Sequence, residues 1–158
     1  MPKHLLALLL LAAACHKGPK VEVDPAPSSL DPQRLTEVLK AQLQRAAADW
    51  NSGNLKGFMW DYANDSTTMY LAGPRFEYGF AWIENHYAPL FVPGARRDSL
   101  RFENFVARPL GTTYALVTAR YVLYRNGVTS SNGPFTLVMQ EGTDGWKIIL
   151  DHTSSDPR

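Results

Sequence analysis

The 158-residue chain contains one cysteine, Cys15, and four histidines, of which only His86 and His152 fall in the part that patterns as a folded domain. An internal disulfide is excluded, and no metal is expected, because zinc and iron sites draw three or four ligands from Cys, His and carboxylates. Neither sign of charge is in excess: 16 Lys+Arg stand against 15 Asp+Glu, a formal net charge of +1. Neutralising a nucleic-acid backbone needs a basic surplus, so no nucleic-acid partner is expected. A Gly-rich phosphate loop and a strand-turn-helix nucleophile elbow are also missing; Gly73-Pro74 and Gly133-Pro134 read as turns. No cofactor is expected. What remains is 45% hydrophobic residues, 11% aromatic residues and 11 each of Gly and Pro, the composition of one packed domain with several short elements.

The amino terminus follows a different pattern. Lys3 and the terminal amine precede an apolar run over residues 5–14, about half of the ~20 residues that a membrane-crossing helix needs. Residues 1–14 therefore read as an export signal. Small residues followed by Cys15 resemble the lipobox of bacterial lipoproteins, in which the thiol is acylated and the cysteine becomes residue one. Nothing around His16-Lys17-Gly18-Pro19 could bury a structural cysteine, and acylation removes the oxidation liability of a lone exported thiol. Ala12-Ala13-Ala14 equally satisfies ordinary signal cleavage, which leaves a secreted or soluble periplasmic product as the alternative. His16, in place of an inner-membrane-retaining Asp, points to the periplasmic side of an outer membrane where the cell has two membranes. Residues 15–32, with Pro19, Pro25, Pro27 and Pro32, form a tether reaching on the order of 50 Å at about 3.3 Å per residue. The membrane is met through the N-terminal lipid only.

The folded part opens at Asp31-Pro32, an N-cap side chain followed by a residue preset for a first helical turn. Leu35, Val38, Leu39, Leu43, Ala46, Ala47 and Trp50 then recur at three- and four-residue spacing, the mark of an amphipathic helix that stops at Asn51-Ser52-Gly53. Asn54 starts a short second helix with Leu55, Phe58, Met59 and Tyr62 on one side. From Ser66 the period becomes 2, and residues 67–71 and 75–78 flank Ala72-Gly73-Pro74 as a hairpin. Gly79 opens a third helix, in which Trp82, Ile83, His86, Tyr87, Leu90 and Phe91 share a side before Pro93-Gly94. Four strands follow, over residues 99–107, 113–125, 129–140 and 146–153, with Asn126-Gly127 as the clearest turn. Helices followed by an antiparallel meander predict an α+β domain with helices on one face of a curved sheet.

Three segments carry a resemblance: Asp49-Trp50-Asn51-Ser52-Gly53-Asn54-Leu55-Lys56-Gly57-Phe58-Met59, the Gly79 helix start, and Gly145-Trp146-Lys147-Ile148-Ile149-Leu150-Asp151-His152-Thr153-Ser154. They look like the SnoaL-like branch of the nuclear transport factor 2-like superfamily over residues 33–155, leaving residues 156–158 as a tail. The closing Trp-x-Ile and His-x-Ser are similar to the end of the calcium/calmodulin-dependent kinase association domain. The resemblance implies a cone of three helices over a strongly bent sheet, a cavity at its wide end, and a homodimer formed through the outer sheet face. It does not choose an activity, since isomerases, dehydratases, cyclases, transport adaptors and assembly modules share the scaffold.

Strand parity sorts the faces. Ala115, Val117, Ala119, Tyr121 and Leu123 fall beneath the helices, whereas Tyr114, Thr118, Arg120 and Tyr124 fall outside as candidate interface residues. In the last strand, Trp146, Ile148, Leu150 and His152 share one side, and Lys147, Ile149, Asp151 and Thr153 the other. Asp151 and His152 therefore point apart and cannot form a dyad. The candidate ligand-binding residues are Trp50, Tyr62, Met69, Trp82, His86, Phe102, Tyr121 and His152, with His86 the candidate catalytic base. Asp61 and Asp65 read as capping or turn residues, and no two-carboxylate pair is recognisable. Two functions fit: a module that binds a small apolar ligand or assembles as a dimer, and a cofactor-free lyase or isomerase acting on an apolar carbonyl compound through His86.

Overall fold

The computed structural model describes residues 31–157; the export signal, Cys15 and all but the last residues of the tether lie outside the described residues. Helix α1 (Pro32–Ser52) starts where Asp31 accepts the Gln33 amide at 3.1 Å and ends at Gly53, whose φ of 82° suits a residue without a side chain. Its buried stripe is Leu35, Leu39, Leu43, Ala46, Ala47 and Trp50. Val38, expected in that stripe, sits at its margin and is exposed. Helix α2 (Leu55–Met59) is capped by the Asn54 side chain, which accepts the Gly57 amide at 3.1 Å.

The hairpin β1 (Met69–Ala72) and β2 (Arg75–Tyr78) leads into α3 (Phe80–Tyr87), which is shorter than the apolar spacing suggests. Pro89 has no amide hydrogen to continue an α-helix, and Ala88–Leu90 form a 3-10 turn instead. Strands β3 (Ser99–Pro109), β4 (Tyr114–Arg125), β5 (Val128–Gly142) and β6 (Gly145–Thr153) complete the chain. Asn126 and Gly127 join β4 to β5 with φ of 52° and 79°, the left-handed pair of a tight hairpin turn.

The six strands of the described residues form one sheet in the order β2-β1-β6-β5-β4-β3. Every pairing is antiparallel except β1 with β6, which is parallel and sets Tyr70 directly opposite Asp151. Register shifts between Glu103 and Val106, between Leu123 and Tyr124, and between Val138 and Met139 interrupt the ladders. Bulges of this kind bend a sheet, and the helices pack into the concavity. The terminus of α1 is fixed to β3 by Asn51, whose amide donates to the Leu100 carbonyl at 2.9 Å and accepts the Leu100 amide at 2.7 Å. These two bonds occupy backbone groups on the outer edge of β3, which no further strand among the described residues covers.

Gly133-Pro134 is not a turn but lies inside β5. A side chain at Gly133 would meet the Ser154 carbonyl at 1.9 Å, so the glycine lets the segment after β6 cross the strand. Ser154 donates its amide to Pro134 at 3.0 Å and Asp156 to Asn132 at 2.9 Å, so pairing extends one residue into the expected tail.

Candidate functional site

The site originates in a misfit between two strands. Met139 of β5 faces Ile148 of β6, but the next partners are Val138 and Leu150, so β6 carries one residue more than β5 at this point. An extra residue reverses the side-chain parity beyond it. Trp146 and Ile148 point inward as expected; past the bulge it is Asp151 that is buried, while His152 is exposed. The parity expected from the sequence is therefore corrected for the second half of β6, and His152 leaves the interior.

The chain after α2 supplies the opposing side. Ile148 donates its amide to Asp61 at 2.6 Å and Ala63 donates to Ile148 at 2.9 Å, a parallel bridge that lays residues 61–63 against β6. Tyr62 is thus brought to Asp151, and its hydroxyl donates to Oδ2 at 2.6 Å; Thr153 Oγ1 donates to Oδ1 at 2.8 Å. Both carboxylate oxygens are held by neutral hydroxyls.

These groups open on a cavity of about 710 Å³. Leu43, Ala46 and Trp50 of α1 line it with Phe58, Tyr87, Leu90, Leu100, Phe102, Tyr121, Phe135 and Leu137, and its polar groups include Asp61, Tyr62, Tyr70, Asp151, Thr153, Ser154 and Ser155. Trp50, Phe58 and Tyr87 meet edge to face at centroid distances of 5.0 to 5.9 Å, an arrangement that aromatic quadrupoles favour. At the cavity margin the Tyr121 hydroxyl lies 2.7 Å from Ser155 Oγ and 3.1 Å from Ser131 Oγ. A second hollow of about 920 Å³ is bordered by exposed loop residues such as Asp65, Thr143 and Asp144 and forms a surface trough.

Four of the eight expected ligand-binding residues, Trp50, Tyr62, Phe102 and Tyr121, line the cavity; Met69, Trp82, His86 and His152 do not. His86 is exposed and stacks on Trp82 with ring centroids 5.3 Å apart, which takes the candidate base out of the cavity. Helix α3 buries only Ile83 fully, so its apolar spacing overstates its depth. Asp65 makes the expected turn, accepting the Thr67 amide at 2.7 Å. Asp61 does not cap: it is 1% exposed, lines the cavity and is paired with Arg45, and its Oδ2 is buried without a hydrogen-bond partner among the described residues. Two carboxyls thus share one cavity where the sequence showed no pair. Tyr70 and Tyr87 were equally unassigned. Of the residues expected at an interface, Tyr114 and Thr118 are exposed, Arg120 bonds Asn132 and pairs with Asp156, and Tyr124 lies under Arg101. Among the described residues no group of three or more His, Cys, Asp or Glu is placed to hold a metal, and no helix is long and apolar enough to cross a membrane.

Burial dominates the protonation of both carboxyls. It raises Asp151 above the usual carboxylate range despite the opposing bonds from Tyr62 and Thr153. It likewise pushes Asp61 up to about 6, with Arg45 opposing. The Tyr62 and Tyr87 phenols are raised by burial, then for Tyr62 by the Asp151 charge. Burial lowers His86.

Neither a protein-family model nor a curated protein matches the sequence. Solved structures do match. A nuclear transport factor 2-like protein of unknown function from Shewanella oneidensis superposes with a TM-score of 0.65 at 24% identity, over 76% of this chain and 98% of that one. The fold is nuclear transport factor 2-like. A nuclear transport factor 2-like superfamily protein from Salmonella enterica gives 0.63 at 14% identity, over 81% and 95% of the two chains. A candidate ketosteroid isomerase from Parabacteroides distasonis gives 0.60 at 18%, over 77% and 88%. At these identities the nuclear transport factor 2-like architecture is what is shared.

A carboxyl with a raised native pKa binds its proton more tightly folded than unfolded, so its contribution is complete below the unfolded value and is lost as pH rises through the folded one. For Asp61 that window runs from 3.8 to about 6, a loss of about 3 kcal/mol. Urea unfolding from pH 4 to 7 is expected to show this decline in the native protein and a flatter profile in Asp61→Asn; parallel profiles would contradict it.

Proposed function

We propose that the chain is an exported, lipid-anchored SnoaL-like domain that binds a small, largely apolar molecule in its cavity and forms a homodimer through the outer sheet face. The supporting observation is the cavity: about 710 Å³, inside the ~300–1,000 Å³ typical of small-molecule sites, with an apolar aromatic wall and a carboxyl at its base. Such a wall supplies affinity by excluding water, and few polar groups then fix orientation. The lipobox-like Cys15 and the proline-rich tether support the anchored address, and the alternating Tyr114, Thr118, Arg120 and Tyr124 support the interface, since aromatic and Arg side chains are favoured at protein contacts.

The neutral apolar fluorophore N-phenyl-1-naphthylamine tests the binding reading. It is expected to bind saturably at one site per chain, and Leu123→Trp, which fills the cavity, is expected to abolish binding with the fold intact by circular dichroism. No saturable binding to the native protein would contradict the reading. Native mass spectrometry of the protein extracted from membranes in mild detergent tests the rest: acylated Cys15 and a dimer mass are expected, and an unmodified monomer would remove anchor and interface.

One observation favours a second reading, a cofactor-free isomerase or lyase on an apolar carbonyl compound. The Asp151 carboxyl is raised by burial and sits in the cavity 2.6 Å from the Tyr62 hydroxyl, which suits a proton shuttle better than the exposed His86. Asp151 would take the proton from the carbon beside the carbonyl and return it to the γ carbon, two positions along, as the double bond moves into conjugation, and the likeness to a candidate ketosteroid isomerase accords with that chemistry. With a β,γ-unsaturated ketone, Asp151→Asn is then expected to lower turnover by about 10²-fold or more, while His86→Ala leaves it unchanged. Equal turnover in native protein and Asp151→Asn would remove the second reading.

A further inference from the structure

We propose that the cavity takes an organic cation, an amine or quaternary ammonium group carried on an apolar body. This rests on the binding reading above and names its ligand class. The first observation is what the wall excludes. No Lys, Arg or His is among the described residues lining the cavity, although two aspartates are. A ligand carboxylate or phosphate would be stripped of water with no countercharge and would face two acidic groups, a costly burial.

The second observation is that one acidic group has no ionic partner among the described residues and the other has only one of its two oxygens paired. Asp151 is 5% exposed and forms no ion pair among the described residues; its hydrogen bonds come only from the Tyr62 and Thr153 hydroxyls. Asp61 is 1% exposed, and one of its oxygens pairs with Arg45 while Oδ2 is buried without a hydrogen-bond partner among the described residues. A neutral carbonyl ligand could accept from a protonated Asp151, but it would leave the free oxygen of Asp61 without a donor. A cation in the cavity attracts both carboxylates, and a medium of low polarity strengthens that attraction.

The third observation is the aromatic wall. Trp50, Phe58, Tyr62, Tyr70 and Tyr87 all line the cavity, and the faces of such rings attract cations through their quadrupoles, most strongly where water is excluded. Aromatic rings together with carboxylates form the usual receptor for alkylammonium groups.

Charge neutralisation has a signature of its own. The groups facing Asp151 are Tyr62, Tyr70, Tyr87 and Thr153, with His152 beside it in sequence; those near Asp61 are Arg45, Gln42, Lys147 and Asp49. Neither Lys147 nor Arg45 is among the described residues lining the cavity. Burial raises both above the usual carboxylate range, Asp61 to about 6, and an entering cation favours the ionised form. Binding should therefore release protons and strengthen as pH rises from 5 to 7.

The test is calorimetric titration of the full chain with three ligands on one body: 1-adamantyl amine, 1-adamantanol and adamantane-1-carboxylate. The amine is expected to bind at least about tenfold more tightly than the alcohol, the carboxylate not at all, and repeats in two buffers of different ionisation enthalpy should show proton release with the amine alone. Asp151→Asn is expected to cut the preference to about threefold or less. Should that variant not fold, Asp61→Asn and the native pH series carry the same test. Equal or tighter binding of the alcohol or carboxylate overturns the cation inference and leaves the binding reading standing. Failure of all three ligands overturns both.

Discussion

The interior of this protein depends on one extra residue in β6. Where Met139 and Val138 of β5 advance by one position, the opposing strand advances by two, from Ile148 to Leu150. A regular strand would have continued inward through Leu150 and His152. The bulge instead turns Asp151 and Thr153 toward the helices, sets a carboxyl in an otherwise greasy hollow, and leaves His152 in water. A lone buried carboxyl opposes folding, and it persists here because Tyr62 and Thr153 both donate to it. Positions that cost stability and are still supplied with hydrogen bonds are where a scaffold carries its chemistry.

The second carboxyl depends on the same strand. Asp61 is held where it is because its carbonyl accepts the Ile148 amide just before the bulge. One irregular stretch of backbone therefore positions Asp61, Tyr62 and Asp151 together, and the parallel pairing of β1 adds Tyr70 opposite Asp151. The far margin is set by the segment after β6, which crosses β5 at Gly133 and brings Ser155 to the Tyr121 hydroxyl. Base and rim of the cavity are thus built from the two ends of one strand.

Local signals carried much of the architecture into the sequence. Asp31-Pro32, Asn54 and Gly53 mark helix ends because capping is a property of a few neighbouring residues. Asn126-Gly127 marks a turn because the backbone there must be left-handed. The bulge was not legible for an equally physical reason. Ile148, Ile149 and Leu150 are all apolar, so either parity satisfies the hydrophobic pattern, and nothing in the letters shows where the register slips. The mislocated His152 and the missed Asp151 are one error with one cause. His86 failed differently: the apolar spacing of α3 was real, but the helix lies at the edge of the cone and buries only Ile83. The parallel pairing of β1 with β6 joins segments some eighty residues apart, a relation that no local pattern encodes.

The inward orientation of Asp151 can be measured directly. Carbon-13 NMR of the side-chain carboxyl across a pH titration should show Asp151 protonating above the ordinary aspartate range, and Tyr62→Phe should raise it further by removing a bond that favours the ionised form. An Asp151 that titrates like a surface aspartate, indifferent to Tyr62, would place it in solvent and contradict the bulge, the cavity base and the ligand chemistry built on them.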